Sequence, residues 1–282
     1  MTVSAWRSPF AAAATVTDRT ESSANQDAVV VLNPEQDGCC AVVLCDGIGS
    51  WDCSGVTSQV ATQRAAAVLR QYGPSAIDKA FAEAQDAVLS IGREWSGAAA
   101  KRAGGTTMLV ATVPEPGELL LGYVGNGAAL ECRPVHGVNA PMRVQWSNHL
   151  VPHSGIEHGQ EVLTRALTTE SVLPLPVSLL RIRPTENAVL LLSSDGIWSQ
   201  EQAPLARTAD GQRWMQLPPV LLRTLDLAGQ VLSWMSEEDE EEVLASDSTA
   251  RPSPNEAIQA HLDALRSDDL LDDDSTIGLL AI

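Results

Sequence analysis

The sequence predicts an α+β fold, a layered sandwich whose strands come in blocks and whose helices come in pairs. Short β-rich runs bounded by Asn, Pro, Asp and Gly recur along the chain. Longer stretches with apolar residues at helical spacing separate them. The two kinds of element do not alternate one for one, which argues against a parallel, doubly wound sheet. With 282 residues, 44% of them apolar, the chain has ample material for a buried core.

The first block comprises residues 11–18 (AAAATVTD), 28–32 (AVVVL) and 39–45 (CCAVVLC). A pair of helices should follow. The second of the pair is the better defined: it begins at PSAID, where Ser75 and Asp78 make a capping pair, and Ile77, Phe81, Ala84, Val88, Ile91 and Trp95 fall on one apolar stripe. Strands return at 106–113, 118–124 and 127–132, and again at 177–183, 188–194 and 275–282. Helices are expected near 214–235 and over 254–267. Residues 233–254 are so dense in carboxylates, and end so rich in Ser and Pro, that they read as a solvated acidic insertion in a single domain spanning 1–282.

Asp and Glu number 36 against 18 Lys and Arg, a formal net charge of −18. Such a chain repels a phosphate backbone and has no local basic patch to offset this, so nucleic acid is not an expected partner. No apolar run approaches the length of a membrane span, and the opening segment lacks the apolar core of a signal peptide, so the expected setting is cytoplasmic, with no membrane partner. The cysteines (Cys39, Cys40, Cys45, Cys53 and Cys132) form neither a C-x-x-C pair nor an even framework and read as core filler. His149 and His153 have i,i+4 spacing, but Pro152 and Gly155 disfavour a regular helix there, and a histidine metal site is not expected.

The acids at the strand ends carry the chemistry. AVVLCDGIGS takes an apolar run straight into Asp46, and taken alone its Asp-Gly is an ordinary turn. The phrase returns in LLLSSDGIWS around Asp195, DDDSTIGLLAI sets Asp273 beside the last strand, and Asp27 stands just before the second. A carboxylate closing an apolar strand is costly to bury unless a cation or hydrogen bonds offset the cost. If the strand ends converge, like charges raise one another's pKa unless divalent cations neutralise them. Oxygen donors without His or Cys favour hard cations, magnesium or manganese. Two such ions ~4 Å apart can activate a bridging water and hold a phosphoryl oxygen for in-line attack.

In chain order, TDR (17–19), NQD (25–27), DGIG (46–49), GGTT (104–107), VGNGAA (124–129), LTRAL (163–167), SSDG (193–196) and DDST (273–276) cover nearly the whole chain. The ordered set resembles the metal-dependent protein serine/threonine phosphatases, the protein phosphatase 2C or PPM type. The resemblance implies a four-layer αββα sandwich, a central antiparallel β-sandwich flanked by helix pairs, with a two-metal centre at one end. It implies that Asp46 bridges two divalent cations, Mn2+ or Mg2+, that the Gly47 carbonyl binds one, that Asp195 and Asp273 bind the other, and that Asp27 acts largely through bound water. A water or hydroxide bridging the metals would attack the phosphorus of a phosphoserine or phosphothreonine. The implied partners are a phosphoprotein substrate and a cognate Ser/Thr kinase.

The departures are informative. Ser22 stands where the family carries an Arg that grips the substrate phosphate, and Arg19 is the nearest substitute. Ile48 occupies a position that is His in many eukaryotic members and apolar in bacterial ones, which points to a bacterial-like member. Gly125-Asn126-Gly127 replaces a Gly-Asp-Ser and removes a carboxylate. The alternative reading is therefore a pseudophosphatase, or a regulatory phosphoprotein-binding domain with weak or no turnover. A serine hydroxyl replaces at most one of the two charge-assisted bonds a guanidinium makes to phosphate. Ser22→Arg is expected to lower KM for a small aryl phosphate by about tenfold, or ~1.4 kcal/mol. If Arg19 already has the role, Arg19→Ala raises KM instead; no change in either variant places the phosphate anchor elsewhere.

Overall fold

The computed structural model describes residues 9–17, 24–49, 51–95, 104–135, 143–158, 160–170, 176–198, 205–207, 213–215, 218–237, 252–271 and 273–281. Strands β1 (Phe10–Val16) and β2 (Ala28–Leu32), the single turn α1 (Pro34–Asp37) and strand β3 (Cys40–Cys45) precede the helices α2 (Ser54–Tyr72) and α3 (Ile77–Trp95). Five strands follow: β4 (Gly105–Thr106), β5 (Met108–Val113), β6 (Leu119–Val124), β7 (Ala128–Val135) and β8 (Arg143–Asn148). The hairpin of β9 (Ser154–Glu157) and β10 (Gln160–Leu163) leads to β11 (Leu167–Thr168), β12 (Ser178–Ile182) and β13 (Val189–Ser193). A short pair, β14 (Leu205–Arg207) and β15 (Arg213–Met215), precedes α4 (Pro219–Glu237), α5 (Pro254–Ser267) and β16 (Ser275–Ala281).

Ten of the strands build two antiparallel sheets of five, ordered β12-β6-β5-β3-β2 and β1-β16-β13-β7-β8. Their central strands are apolar on both faces because each face meets another layer. In β3, Ala41, Val43 and Cys45 turn to α2 and α3, while Cys40, Val42 and Leu44 turn to the facing sheet. In β13, Val189 and Leu191 turn to α4 and α5, and Leu190 and Leu192 to the facing sheet. The period of two therefore divides each run between separate cores, which is why the sequence shows no polar alternation there. Gly278 allows the sheets to approach, since a Cβ there would lie 2.6 Å from Val42 Cγ1. The result is the four-layer αββα sandwich.

Helix α3 buries Ile77, Phe81, Ala84 and Val88 of the expected stripe. Gly73, at a positive φ of 85° that favours glycine, ends α2 and donates its N–H to the Leu69 carbonyl. Three readings are corrected. The helix expected near 214–235 begins only at Pro219, because residues 213–215 pair as a strand and a proline suits the first helical position. Strand β8 had no clean apolar run to reveal it: as an edge strand it packs only Val144 and Trp146 against a core. The short strands β9 and β10 lie where no strand was expected, and β4 and β11 at the GGTT and LTRAL motifs. Most of the acidic stretch 233–254 lies outside the described residues, apart from the end of α4 and the entry to α5. Among the described residues no helix is long and apolar enough to cross a membrane.

Helix α5 begins with a full capping box: Ser253 Oγ accepts the Glu256 N–H, and the Glu256 carboxylate accepts the Ser253 N–H at 2.7 Å. Ser253→Ala removes one half of it and should lower stability by about 1 kcal/mol in urea unfolding. An unchanged midpoint would mean that α5 is held by its packing alone.

Candidate metal centre

Strand pairing brings the acids together. Ala28 pairs with Cys45, so Asp27 enters β2 beside the point where Asp46 leaves β3. Ser193 pairs with Ile277, which brings the Asp195 turn beside the start of β16. The two sheets meet at Asp27, whose Oδ2 accepts the Thr276 hydroxyl at 2.7 Å. Thr276 Oγ1 lies 2.8 Å from Thr15 Oγ1, which accepts from Asn25 Nδ2 at 2.9 Å, and Asn25 Oδ1 accepts the Asp27 N–H at 2.9 Å. These four residues close a ring that fixes one oxygen of Asp27. The other, Oδ1, is buried without a partner.

Asp46 is anchored through its backbone. Its carbonyl accepts from the Thr107 N–H and the Thr106 hydroxyl, each at 2.8 Å, and its N–H donates to Thr107 Oγ1 at 3.3 Å. Gly47 bridges to Thr106, and a Cβ there would lie 2.7 Å from the Gln26 carbonyl oxygen, so no side chain fits. The Asp46 side chain meets those of both Asp27 and Asp195. Burial lifts the Asp27 pKa from 3.8 to about 7, with the Asp274 charge adding to it. Burial, then the charges of Asp27 and Asp195, raise Asp46 well above the usual carboxylate range. Without a cation, Asp27 and Asp46 therefore hold their protons to higher pH than exposed carboxyls do.

Asp273 and Asp274 divide the work at the start of β16. Asp274 is buried, at 8% exposure, and its Oδ2 accepts the Gln26 N–H at 2.6 Å, clamping the turn that presents Asp27. Asp273 is exposed, and its Oδ1 accepts the Asp274 N–H at 2.8 Å. The alternation of an extended chain explains the split, since Asp274 and Thr276 share a face and Thr276 addresses Asp27. Asp195 accepts a hydrogen bond from Asn126 Nδ2 at 2.9 Å. Arg19 and Ser22 lie outside the described residues.

The donors fit hard divalent cations: they are oxygens, they repel one another when ionised, and an orphaned Asp27 oxygen is buried among them. Among the described residues no three Asp, Glu, His or Cys side chains already enclose a single point as a cage for one ion. The carboxylates form a row with Asp46 between two neighbours, as a shared ligand requires. The histidines are engaged elsewhere, His149 with Glu131 at 2.8 Å and His153 with Ser178 at 2.9 Å. Sequence reasoning missed Thr15, Asn25, Thr276 and Asp274, although three of them sit within quoted motifs or beside them. Period-two alternation back from Thr276 was the available signal for Asp274.

The sequence profile of the family described as Protein phosphatase 2C matches residues 17–233. No curated protein matches the chain. Among solved structures, the PPM Ser-Thr phosphatase MsPP from Mycobacterium smegmatis, in complex with cacodylate, is similar with a TM-score of 0.64 at 18% identity over 96% of this chain and 97% of that one. The serine/threonine phosphatase PstP/Ppp of Mycobacterium tuberculosis is similar with a TM-score of 0.60 at 15% identity, covering 97% and 98%. The catalytic domain of PstP in complex with 2 manganese ions gives 0.58 at 16% identity, covering 97% of each chain. At these identities the structures share the fold, and the profile assigns the lineage. With the motif order, the αββα layers and the row of strand-end carboxylates all in agreement, the chain belongs to the protein phosphatase 2C family of metal-dependent protein serine/threonine phosphatases.

Proposed function

We propose that this chain hydrolyses phosphoserine and phosphothreonine in proteins, with two divalent cations, Mn2+ or Mg2+, held by Asp27, Asp46, the Gly47 carbonyl, Asp195 and Asp273. The observation that carries the reading is Asp46, which meets both Asp27 and Asp195, and whose pKa burial, and then their charges, raise well above the usual carboxylate range. Bound there, the cations supply an activated nucleophile and neutralise charge on the phosphoryl oxygens during in-line attack. The chain's own residues prepare that arrangement. Thr106 and Thr107 fix the backbone of Asp46, Thr276 holds one oxygen of Asp27, and Asp274 holds the turn before it. Arg19 is the proposed contact to the substrate phosphate. The catalytic domain spans 1–282, with the acidic stretch around 233–254 outside its machinery. The opposing enzyme is a Ser/Thr kinase, and a cytoplasmic setting suits five cysteines that are all buried free thiols.

Manganese-dependent hydrolysis of a phosphothreonine peptide tests the activity. Asp46→Asn or Asp195→Asn should cut turnover at least a hundredfold, about 3 kcal/mol of barrier, in protein that remains folded. Turnover that survives both substitutions would remove the two-metal reading, and a folded parent without turnover would favour the pseudophosphatase. Asp273→Asn should weaken manganese binding strongly. Asp274→Asn should not, because an amide oxygen still accepts the Gln26 N–H; the reverse pattern would make Asp274 the ligand.

The same carboxylates give a metal-free signature. A pKa raised to about 7 from 3.8 means that the folded chain retains a proton on Asp27 which the unfolded chain has released. That contribution to stability is fully present below the unfolded value and is lost as pH rises through the folded one. In EDTA, Tm should therefore fall between about pH 4 and about pH 7, with a smaller fall in Asp27→Asn. Saturating manganese should restore the loss. A parent Tm whose pH dependence matches that of Asp27→Asn would show that Asp27 is not held neutral.

A further inference from the structure

The turn Gly125-Asn126-Gly127 has almost no freedom. Gly125 takes a φ of 112°, and a Cβ on it would lie 2.4 Å from Thr107 Cβ; one on Gly127 would lie 2.7 Å from the Ser193 carbonyl oxygen. Between them, Asn126 Nδ2 donates to Asp195 Oδ2 at 2.9 Å. A carboxylate only accepts, so this contact sets the orientation of the amide and leaves Asn126 Oδ1 buried without a partner. Where the family carries a carboxylate, this chain presents a donor to Asp195.

One side chain holds the turn from behind. His153 donates its backbone N–H to the Gly125 carbonyl at 2.8 Å, and its Nδ1 accepts the Gly125 N–H at 3.3 Å. Both polar groups of Gly125 thus end on a single residue. Its Nε2 lies 2.9 Å from Ser178 Oγ and 3.3 Å from Arg165 Nη1. The imidazole stacks on Tyr123, centroids 4.7 Å apart and planes 9° from parallel. The Tyr123 hydroxyl in turn donates to the Val151 carbonyl at 3.0 Å and accepts the Val151 N–H at 3.2 Å. Burial, and then the Arg165 charge, hold the His153 pKa down, which favours the neutral ring that can accept at Nδ1. The ring is buried, stacked on Tyr123 and in hydrogen-bond contact at both nitrogens.

We propose that Asn126 positions the Asp195 carboxylate for metal binding, and that His153, clipped to both polar groups of Gly125, positions Asn126. Both act through Asp195 and neither touches the reacting atoms. One oxygen of Asp195 is held by the amide, so its other oxygen is presented in one orientation, and a cation does not have to order it on binding. The proposal rests on the reading of Asp195 as a ligand.

Manganese titration of the metal-free protein by calorimetry tests it, with circular dichroism to follow folding. Asn126→Ala should weaken binding about tenfold, and His153→Gln about fivefold. His153→Asn should stay within about twofold, because its Oδ1 reaches the position of Nδ1 and still accepts from Gly125. The double variant Asn126→Ala/His153→Gln should bind no more weakly than Asn126→Ala alone, as two members of one chain of contacts require. Parent affinity in Asn126→Ala overturns the proposal, and so does a full, additive loss in the double variant. If His153→Gln does not fold, the pair Asn126→Ala and His153→Asn decides: the first must lose affinity and the second keep it. Asp195→Asn separates the layers of the argument. If it binds manganese like the parent, the ligand reading falls; if it binds weakly while Asn126→Ala does not, only the positioning role falls.

Discussion

The cost of burying carboxylates beside one another is the constraint around which this molecule is organised. Asp27, Asp46 and Asp195 come from three strands, and burial makes the charges of Asp27 and Asp46 expensive. A proton occupies the place of a missing positive charge, and metal binding must displace it. The surrounding polar residues make the convergence tolerable by holding the acids in fixed orientations. Thr276 and Asn25 fix Asp27, Thr106 and Thr107 fix the backbone of Asp46, and Asn126 fixes Asp195. Each of these supports is a neutral donor or acceptor, so none adds to the charge that has to be balanced.

The fold supplies the stiffness that this arrangement needs. Central strands buried on both faces cannot slip by one residue without exchanging the contents of two cores. The acid at the end of such a strand inherits its register. Glycine marks where backbones come closer than a side chain would permit: Gly47 against Gln26, Gly125 against Thr107 and Gly127 against Ser193. These close approaches lock the loops of the centre together and leave little freedom for any one acid to withdraw from the others.

Much of this was legible in the sequence, and the parts that were not have common causes. The apolar runs of β3 and β13 announced themselves, as did α5, whose observed limits are those of the expected helix. Edge strand β8 did not, because a strand packed on one face and rich in polar residues resembles a loop. The motif acids were visible as types at strand ends, yet which of two adjacent aspartates turns inward depends on the parity of β16, and sequence alone does not give the phase. Asn126 was visible only as a departure from the family pattern. Its partner on Asp195, and the imidazole behind its turn, are meetings of residues far apart in the chain: 69 positions separate Asn126 from Asp195, and 28 separate Gly125 from His153.

Sequence distance also sets when the centre can exist. Thr276 and Asp27, joined by one hydrogen bond, are 249 positions apart, and β16 lies between β1 and β13, second from the edge of its sheet. Until that strand has been synthesised, β1 has no neighbour in its sheet, and the sheet that holds Asp195 is open along one side. A ribosome-bound chain that has already exposed Asp27, Asp46 and Asp195 is therefore still without the strand whose Thr276 holds Asp27. The order of synthesis keeps the centre unassembled through most of translation, and a chain stopping short of residue 273 would never complete it.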